Sequence, residues 1–529
     1  MMEVILNSSR YIAEQMGLVM RNAAFSPNIK DRLDMSTALA DSKGRIVAQA
    51  EHIPVHLGSL AVAISRIVKD AGEIREGDVI VTNDPYVAGT HLNDVTMISP
   101  VEYRGEIAAV VASKAHYVDI GGSSPGSLSA SATDLYQEGL IVPPLKIAEG
   151  WVVDVDFLRL ISSNSRVGDH VVADVHAQVS SLRFGVMRVK DLLSKYGDRV
   201  LQEWENSVDY VRNYTGEVFQ SKLEVGEYWA EDFIELNERD LRIRVRIEAR
   251  ERSVLLDFTG TDPQVSYPVN AVYGVTVASS LFALKAALDP EMPFNHGFLD
   301  LVEFRVPEGS LVNSVRPAPV SAGNVETSQR IADVVLKALS TKLDLPAASQ
   351  GTMNNVMLGG EDWAFYETVG GGSGGRPTGD GVDGVHTNMT NTLNTPVEVI
   401  ERYYPLRVVR YSLREDSCGA GEFRGGLGLV REIEVLRDCT VTIVGDRVRR
   451  GPWGIKGGMP GSPAKYTISM EGREVELGSK ASIKLKSGGR VTVMSPGGGG
   501  YGDPSRRAPE LLERDELDGK VSRCFRRTP

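Results

Sequence analysis

An α+β fold follows from three features of the 529-residue sequence. Helical periodicity alternates with short strand-like runs over the first 225 residues, strict two-residue alternation appears at 241–247, and short alternating runs separated by glycine turns fill the chain from Tyr404 onward. The expected divisions are an α/β lobe at 1–225, a hairpin with helices at 226–345, and a β-rich portion at 346–529.

In chain order, Ile5, Ile12, Met16, Met20 and Ala24 stand at helical spacing and Pro27 ends the pattern, which predicts a helix over 3–25. The next block, DRLDMSTALADSKGRIVAQ, reads as a hairpin turning at Asp41-Ser42-Lys43-Gly44. A helix is expected from about Leu57 to Ala71, then a strand at 78–82, an irregular Pro/Gly loop at 83–90 and a strand at 107–113. Two helices over 179–223 separate at Tyr196-Gly197-Asp198. The alternating run 241–247 pairs with 253–259, and helices are expected at 269–288 and 326–343. The longest uncharged stretch, 265–284, carries Pro268, Asn270, Ser279 and Ser280, so it is read as a buried core helix after a turn rather than a membrane span.

Composition excludes several classes. Against 58 Lys+Arg stand 70 Asp+Glu, a formal charge of -12 that is wrong for a nucleic-acid surface. A small basic cluster at Arg523, Arg526 and Arg527 reads as a frayed tail. Three cysteines, Cys418, Cys439 and Cys524, are too few for a disulfide framework and suit a reducing compartment. The first residues lack a basic region followed by a cleavage site, so a cytoplasmic protein is expected. Glycine is abundant, at 54 residues, and is assigned to turns and close backbone approaches.

Two glycine motifs fail as catalytic signals. No P-loop is present, and the G-x-S-x-G match at 371–375 runs into Arg376-Pro377, where a nucleophile elbow needs a helix. That segment is read as a mobile surface loop. The run SPGGGGYGDP at 495–504 is read as a tight turn, with an anion cradle of backbone N–H groups as the alternative.

The histidines carry the chemistry. His52 and His56 form an H-x3-H pair, but Pro54 between them removes the regular helix a zincin needs. His91 and Asp94 form an H-x2-D pair closing the Pro/Gly loop, and His116 lies just past a predicted strand. Asp34 offers a further carboxylate near the start of another strand. Two imidazoles with one or two carboxylates suit Zn, Mn or Fe(II) and leave positions open. The alternative is that His91 and His116 are hydrogen-bonded core or rim histidines.

The same residues lie in strings that resemble the hydantoinase B family: DRLDMS (31–36), HIPVHLGS (52–59), NDPY (83–86), GTHLND (89–94), and AH with DIGG (115–122). The likeness continues through QEG (137–139), NSR (164–166), DFTG (257–260), GNVET (323–327), HTNMTN (386–391), GGLG (425–428) and the run at 497–504. The family includes N-methylhydantoinase B subunits, the C-terminal half of ATP-dependent 5-oxoprolinases and the metal subunit of acetone carboxylases.

The resemblance implies the metal-binding subunit of an ATP-dependent cyclic-amide hydrolase, acting on a substrate phosphorylated by a hydantoinase A-type partner that binds ATP. His91, Asp94 and His116 match the family's metal ligands, with Asp34 as a candidate fourth. A single divalent transition metal, Zn, Mn or Fe, is implied, as is a hetero-oligomer. His52, His56 and Glu138 are the candidate catalytic residues, for proton handling or substrate positioning, with Asn324 and Glu326 as candidates for contacts to substrate or behind the metal ligands. A ketone carboxylase of the acetone carboxylase type and a scaffold without chemistry of its own are the alternatives. Ala88 and Ser417-Cys418-Gly419 depart from the family pattern without touching the metal residues.

Overall fold

The computed structural model describes residues 1–50, 53–70, 72–236 and 239–522. Its first part is an antiparallel seven-stranded sheet, in spatial order β2-β1-β5-β4-β3-β6-β7. The strands are β1 (Met35–Asp41), β2 (Ile46–Ala50), β3 (Val79–Thr82), β4 (Asp94–Tyr103), β5 (Glu106–His116), β6 (Leu145–Glu149) and β7 (Val152–Val153). Helices cover both faces. On one lie α1 (Met2–Ala23) and the long helix Gly168–Tyr196, and on the other Pro54–Asp70, itself packed on Tyr273–Leu288. The strands are therefore apolar on both sides: Leu39, Met97 and Val111 join the core beneath α1, whereas Ala38, Ala40, Ile98 and Ala112 join the cluster beneath Pro54–Asp70.

The predicted hairpin at 31–49 is β1–β2, and the two helices separate at the expected glycine, as Gly168–Tyr196 and Arg199–Lys222. The helix expected from Leu57 begins at Pro54, because proline at the first helical turn loses no hydrogen bond. The uncharged stretch forms the buried helix Tyr273–Leu288. Among the described residues no helix is long and apolar enough to cross a membrane.

Beyond residue 225 comes a four-stranded sheet, β11-β10-β9-β8, made of β8 (Gly226–Leu236), β9 (Arg239–Ala249), β10 (Val254–Asp257) and β11 (Val302–Arg305). The expected β9–β10 pairing is present. Strand β8 is hidden in the sequence by four acids in GEYWAEDFIEL; two of them, Asp232 and Glu235, are buried and bonded. The remaining strands form a four-stranded and a five-stranded sheet around a second core of Leu358, Phe365, Ile433, Val441 and Val493. Cys418 and Cys439 are buried free thiols there; Cys524 and the basic tail lie outside the described residues.

One expectation is corrected. The glycine segment at 370–375 is buried, not a mobile surface loop. It lies beside two other glycine runs, with Gly372 N–H donating to Pro496 O (3.0 Å), Gly375 N–H to Gly499 O (2.8 Å) and Gly498 N–H to Gly426 O (2.9 Å). Extended strands can approach this closely only without side chains: a Cβ on Gly498 would stand 1.9 Å from the Ser373 carbonyl oxygen. The run at 495–504 is the middle of this layer. The N–H groups of Gly498, Gly499, Gly500, Tyr501 and Gly502 all donate to backbone carbonyls, so none remains to cradle an anion.

Candidate metal centre

Three adjacent strands end at one place. Asp94 opens β4 and His116 closes β5, and the two are paired directly across the ladder, while Asp34 immediately precedes β1 and its carbonyl accepts the His116 N–H (3.0 Å). His91 reaches the same place because the Asp94 N–H closes a turn onto the His91 carbonyl (3.1 Å). The loop before it is pinned at several points. Asp84 caps the short helix Pro85–Ala88, and Asn83 donates to the carbonyls of Leu92 and Leu140 (both 2.9 Å). The buried Lys114 donates to Ala88 O (2.8 Å) and Thr90 Oγ1 (3.1 Å). Lys114 shares a face of β5 with His116, and burial pushes its ammonium down to about 8.

The result is a triangle of donor atoms. His91 Nε2 lies 3.1 Å from both Asp94 Oδ1 and His116 Nδ1, and His116 Nδ1 lies 3.2 Å from Asp94 Oδ1. All three side chains are buried. His91 Nδ1 faces the Ser321 carbonyl (3.3 Å), which can only accept, so the hydrogen sits on Nδ1 and Nε2 turns its lone pair toward Asp94. The His91 lone pair and the Asp94 carboxylate therefore converge, and His116 Nδ1 completes the triangle. Burial alone would push His91 down, yet Asp94 lifts it above the ordinary imidazole value; Asp94, which burial would raise, is held well below its own by His91 and His56. Burial holds His116 down. The opposed shifts of His91 and Asp94 mark a cluster short of positive charge, which a proton or a metal ion supplies.

The donor set fits a divalent transition metal. Bonds of about 2.0–2.2 Å to imidazole and carboxylate require donor atoms about 3.0 Å apart at right angles and about 3.4 Å apart in a tetrahedron. The observed edges of 3.1–3.2 Å fall between. The arrangement is a two-histidine, one-carboxylate face on a cavity of about 20 Å³, enough for roughly one water or ion.

The other sequence candidates divide. His56 lines the cavity: its Nε2 is 3.4 Å from Asp94 Oδ2 and its Nδ1 3.1 Å from Ser36 Oγ. Asn324 donates to the same Asp94 Oδ2 (3.3 Å), so one carboxylate oxygen faces the histidine pair and the other is held from behind. Asp34 lines the cavity but is not among the donors lying within 4.8 Å of one another. His52 lies outside the described residues.

Glu138 stands behind the metal residues. It does not line the cavity: its two oxygens accept from Val320 N (2.9 Å), Ser321 N (3.0 Å) and Ser321 Oγ (2.7 Å), fixing the carbonyl that orients His91. Burial raises its carboxyl to about 7. Glu326 likewise accepts from Met353 N (3.1 Å) and Asn355 Nδ2 (2.9 Å), and burial raises it to about 8. Asn324 and Glu326 sit in a π-helical turn, Gly323–Thr327, the irregular geometry that frequents functional sites.

Sequence reasoning missed Arg32, Tyr366, Thr368 and Thr392. Tyr366 stacks on His116 (4.9 Å between centroids) and carries Arg32 over its ring (4.5 Å). Arg32 lies within the motif singled out for Asp34, so proximity is the one available signal.

The sequence profile describing Hydantoinase B/oxoprolinase matches residues 1–504. The chain belongs to the hydantoinase B/oxoprolinase family. Relatives of this family member include an uncharacterised protein of Methanocaldococcus jannaschii, 49% identical over 98% of this chain and 93% of that one. 5-Oxoprolinase 1 of Arabidopsis thaliana is 36% identical over 93% of this chain, which spans only 41% of that relative. A Pseudomonas protein named as the B-type subunit of a D-/L-hydantoinase is 32% identical over 98% of this chain and 93% of its own. Among solved structures, the ATP-dependent caprolactamase of Pseudomonas jessenii superposes with a TM-score of 0.92 at 27% identity, covering 99% of this chain and 95% of that one. A nucleotide-free acetone carboxylase gives 0.89 at 17% identity, covering 99% and 78%, a likeness of fold alone.

Proposed function

We propose that this hydantoinase B/oxoprolinase chain is the metal-binding subunit of an ATP-dependent hydrolase of cyclic amides, acting on a substrate that a hydantoinase A-type partner phosphorylates. The observation that carries the reading is the buried His91–Asp94–His116 triangle. The Pseudomonas relative, named as one subunit of a hydantoinase, supports a partner, and the 5-oxoprolinases, of which this chain spans about two fifths, support cyclic amides as the substrate class. His91, Asp94 and His116 would hold one divalent ion, with Asp34 the nearest further carboxylate on the cavity wall. Such an ion supplies Lewis acidity, polarising a carbonyl and making water nucleophilic near neutral pH.

The chain's own residues do the rest. Ser321, held by Glu138, fixes the His91 tautomer, and Asn324 and His56 hold Asp94 so that a single oxygen faces the histidines. His56 lines the cavity with an imidazole, the side chain general acid–base chemistry uses most often. An amide carbonyl is a poor electrophile, and phosphorylating its oxygen creates both a better one and a leaving group.

The test is turnover of hydantoins, 5-oxoproline and larger lactams by the chain with its partner. The expected result is ATP-dependent ring opening, lost in Asp94→Ala along with the metal. Unchanged product formation by a metal-free Asp94→Ala chain would end the proposal.

A further inference from the structure

We propose that Arg32, standing behind Thr368, forms an oxyanion-binding subsite with the hydroxyls of Thr368 and Thr392 on the wall of the metal cavity. Arg32 is one of three wholly buried arginines. The other two meet carboxylates: Arg330 reaches Asp446 (2.7 Å) and Asp333 (3.0 Å), and Arg431 reaches Glu367 (3.0 Å). Arg32 meets none among the described residues. Its donors go to neutral acceptors, Asn28 Oδ1 (3.2 Å), Tyr366 O (3.2 Å) and Thr368 Oγ1 (3.1 Å), and its Nε has no partner there. A buried guanidinium without a counter-charge is costly, and a fold that pairs the others leaves this one for a ligand to pair.

Its position says which ligand. Thr368 Oγ1, the acceptor of Arg32, also shares a hydrogen bond with Thr392 Oγ1 (2.8 Å), and both threonines line the metal cavity. Formal charges make the same point. Asp34 and Asp94 contribute two negative charges and Arg32 one positive, so a divalent ion brings these groups to plus one, and the buried Lys114 nearby adds to the excess. A neutral cyclic amide leaves that charge uncompensated, whereas an oxyanion cancels it. Two sources present such oxygens: the phosphoryl group of an activated substrate, and the carboxylate that amide hydrolysis releases. A guanidinium grips either through paired N–H donors. The choice between these two sources rests on the function proposed above; the subsite does not. A cavity of about 20 Å³ is too small for either group, so entry requires the Thr368–Thr392 hydrogen bond to open.

The experiment is calorimetric titration of inorganic phosphate, and separately of acetate, into the metal-loaded full chain, with metal content measured on the same samples. At least one anion is expected to bind, and Arg32→Gln is expected to weaken it about 10- to 100-fold, the worth of hydrogen bonds to a charged group. Thr392→Val is expected to weaken it several-fold and carries the test should Arg32→Gln fail to fold. Phosphate preferred over acetate assigns the subsite to the phosphoryl group, and the reverse order assigns it to the product carboxylate. Loss of the subsite is shown by a metal-loaded wild type that binds neither anion, or by affinities unchanged in both variants. A wild type that holds no metal counts against the proposed function instead, and the anion titration is then read on the metal-free chain.

Discussion

Two buried polar clusters in this protein look alike in composition and differ in what their atoms face. Around Arg330, three carboxylates from three parts of the chain meet two guanidinium groups: Asp333 lies 2.7 Å from Arg447 Nη2, Asp232 lies 3.0 Å from it, and Asp446 lies 2.7 Å from Arg330 Nη2. Lys480 adds a further cation near Asp446 (3.3 Å). At the strand ends of the first sheet, lone pairs of His91, Asp94 and His116 face one another with no lysine or arginine between them. The first cluster brings its own counter-ions and fastens β8 and the helix Ser328–Leu339 to the C-terminal sheets. The second leaves a place for a cation. What separates a joint from a site is therefore the sign of the groups that converge, not how many charges are buried.

That contrast is broken most strongly at the joint. Arg330→Met leaves Asp446 without its main partner and Asp333 with Arg447 as its remaining guanidinium, and a loss of about 3–5 kcal/mol is expected in denaturant unfolding. Metal content per folded chain should stay the same, since no contact of Arg330 reaches the triangle. A fall in metal content would mean that the two clusters are coupled. At the site, His56→Ala and Asn324→Ala each remove a contact to the rear oxygen of Asp94, and a metal affinity lower by about 10- to 100-fold is expected from competition against a chelator. Unfolding of the metal-free forms should change little by comparison.

The smallest effect concerns pH. Glu326 is raised to about 8 in the fold, above its unfolded value, by burial first and by Asp446 second. The unfolded chain thus releases this proton at lower pH than the folded one, so its contribution to stability is present at pH 4–5 and lost as pH rises through 8. Glu326→Gln should consequently stabilise the protein at pH 8 relative to its effect at pH 5. A thermal-unfolding series at the two pH values reads the sign directly, and an equal effect at both would refute the buried-acid account.

Much of the centre is legible in the sequence because it is local. His91 and Asp94 belong to one turn, and His116 ends a strand marked by a plain apolar run; the β4–β5 register then sets Asp94 opposite His116. What cannot be read comes from distant segments. Thr368 and Tyr366 stand well over 200 residues from Asp94, and nothing in their own surroundings marks them. For Glu138 the sequence marks the neighbourhood and not the task, because an acid that fixes a carbonyl and an acid that moves a proton are the same letter. Strand β8 is obscured for a related reason: of its buried acids, Asp232 meets arginines that lie about 100 and 215 residues away, and Glu235 accepts the backbone N–H groups of Val448, Arg449 and Arg450. The glycine runs mislead because each alone is a turn signal, and only their mutual packing shows why side chains are excluded.

The central claim is that three converging lone pairs hold one metal ion. Elemental analysis of the purified full chain, dialysed against Zn, Mn and Fe(II) in turn, tests it directly, with His91→Ala and His116→Ala alongside. The account predicts close to one equivalent of a single divalent metal in the wild type and a loss in both variants, while the circular dichroism of all three stays alike. A folded wild type that retains no ion under any of these conditions, or variants that keep the full equivalent, would contradict it.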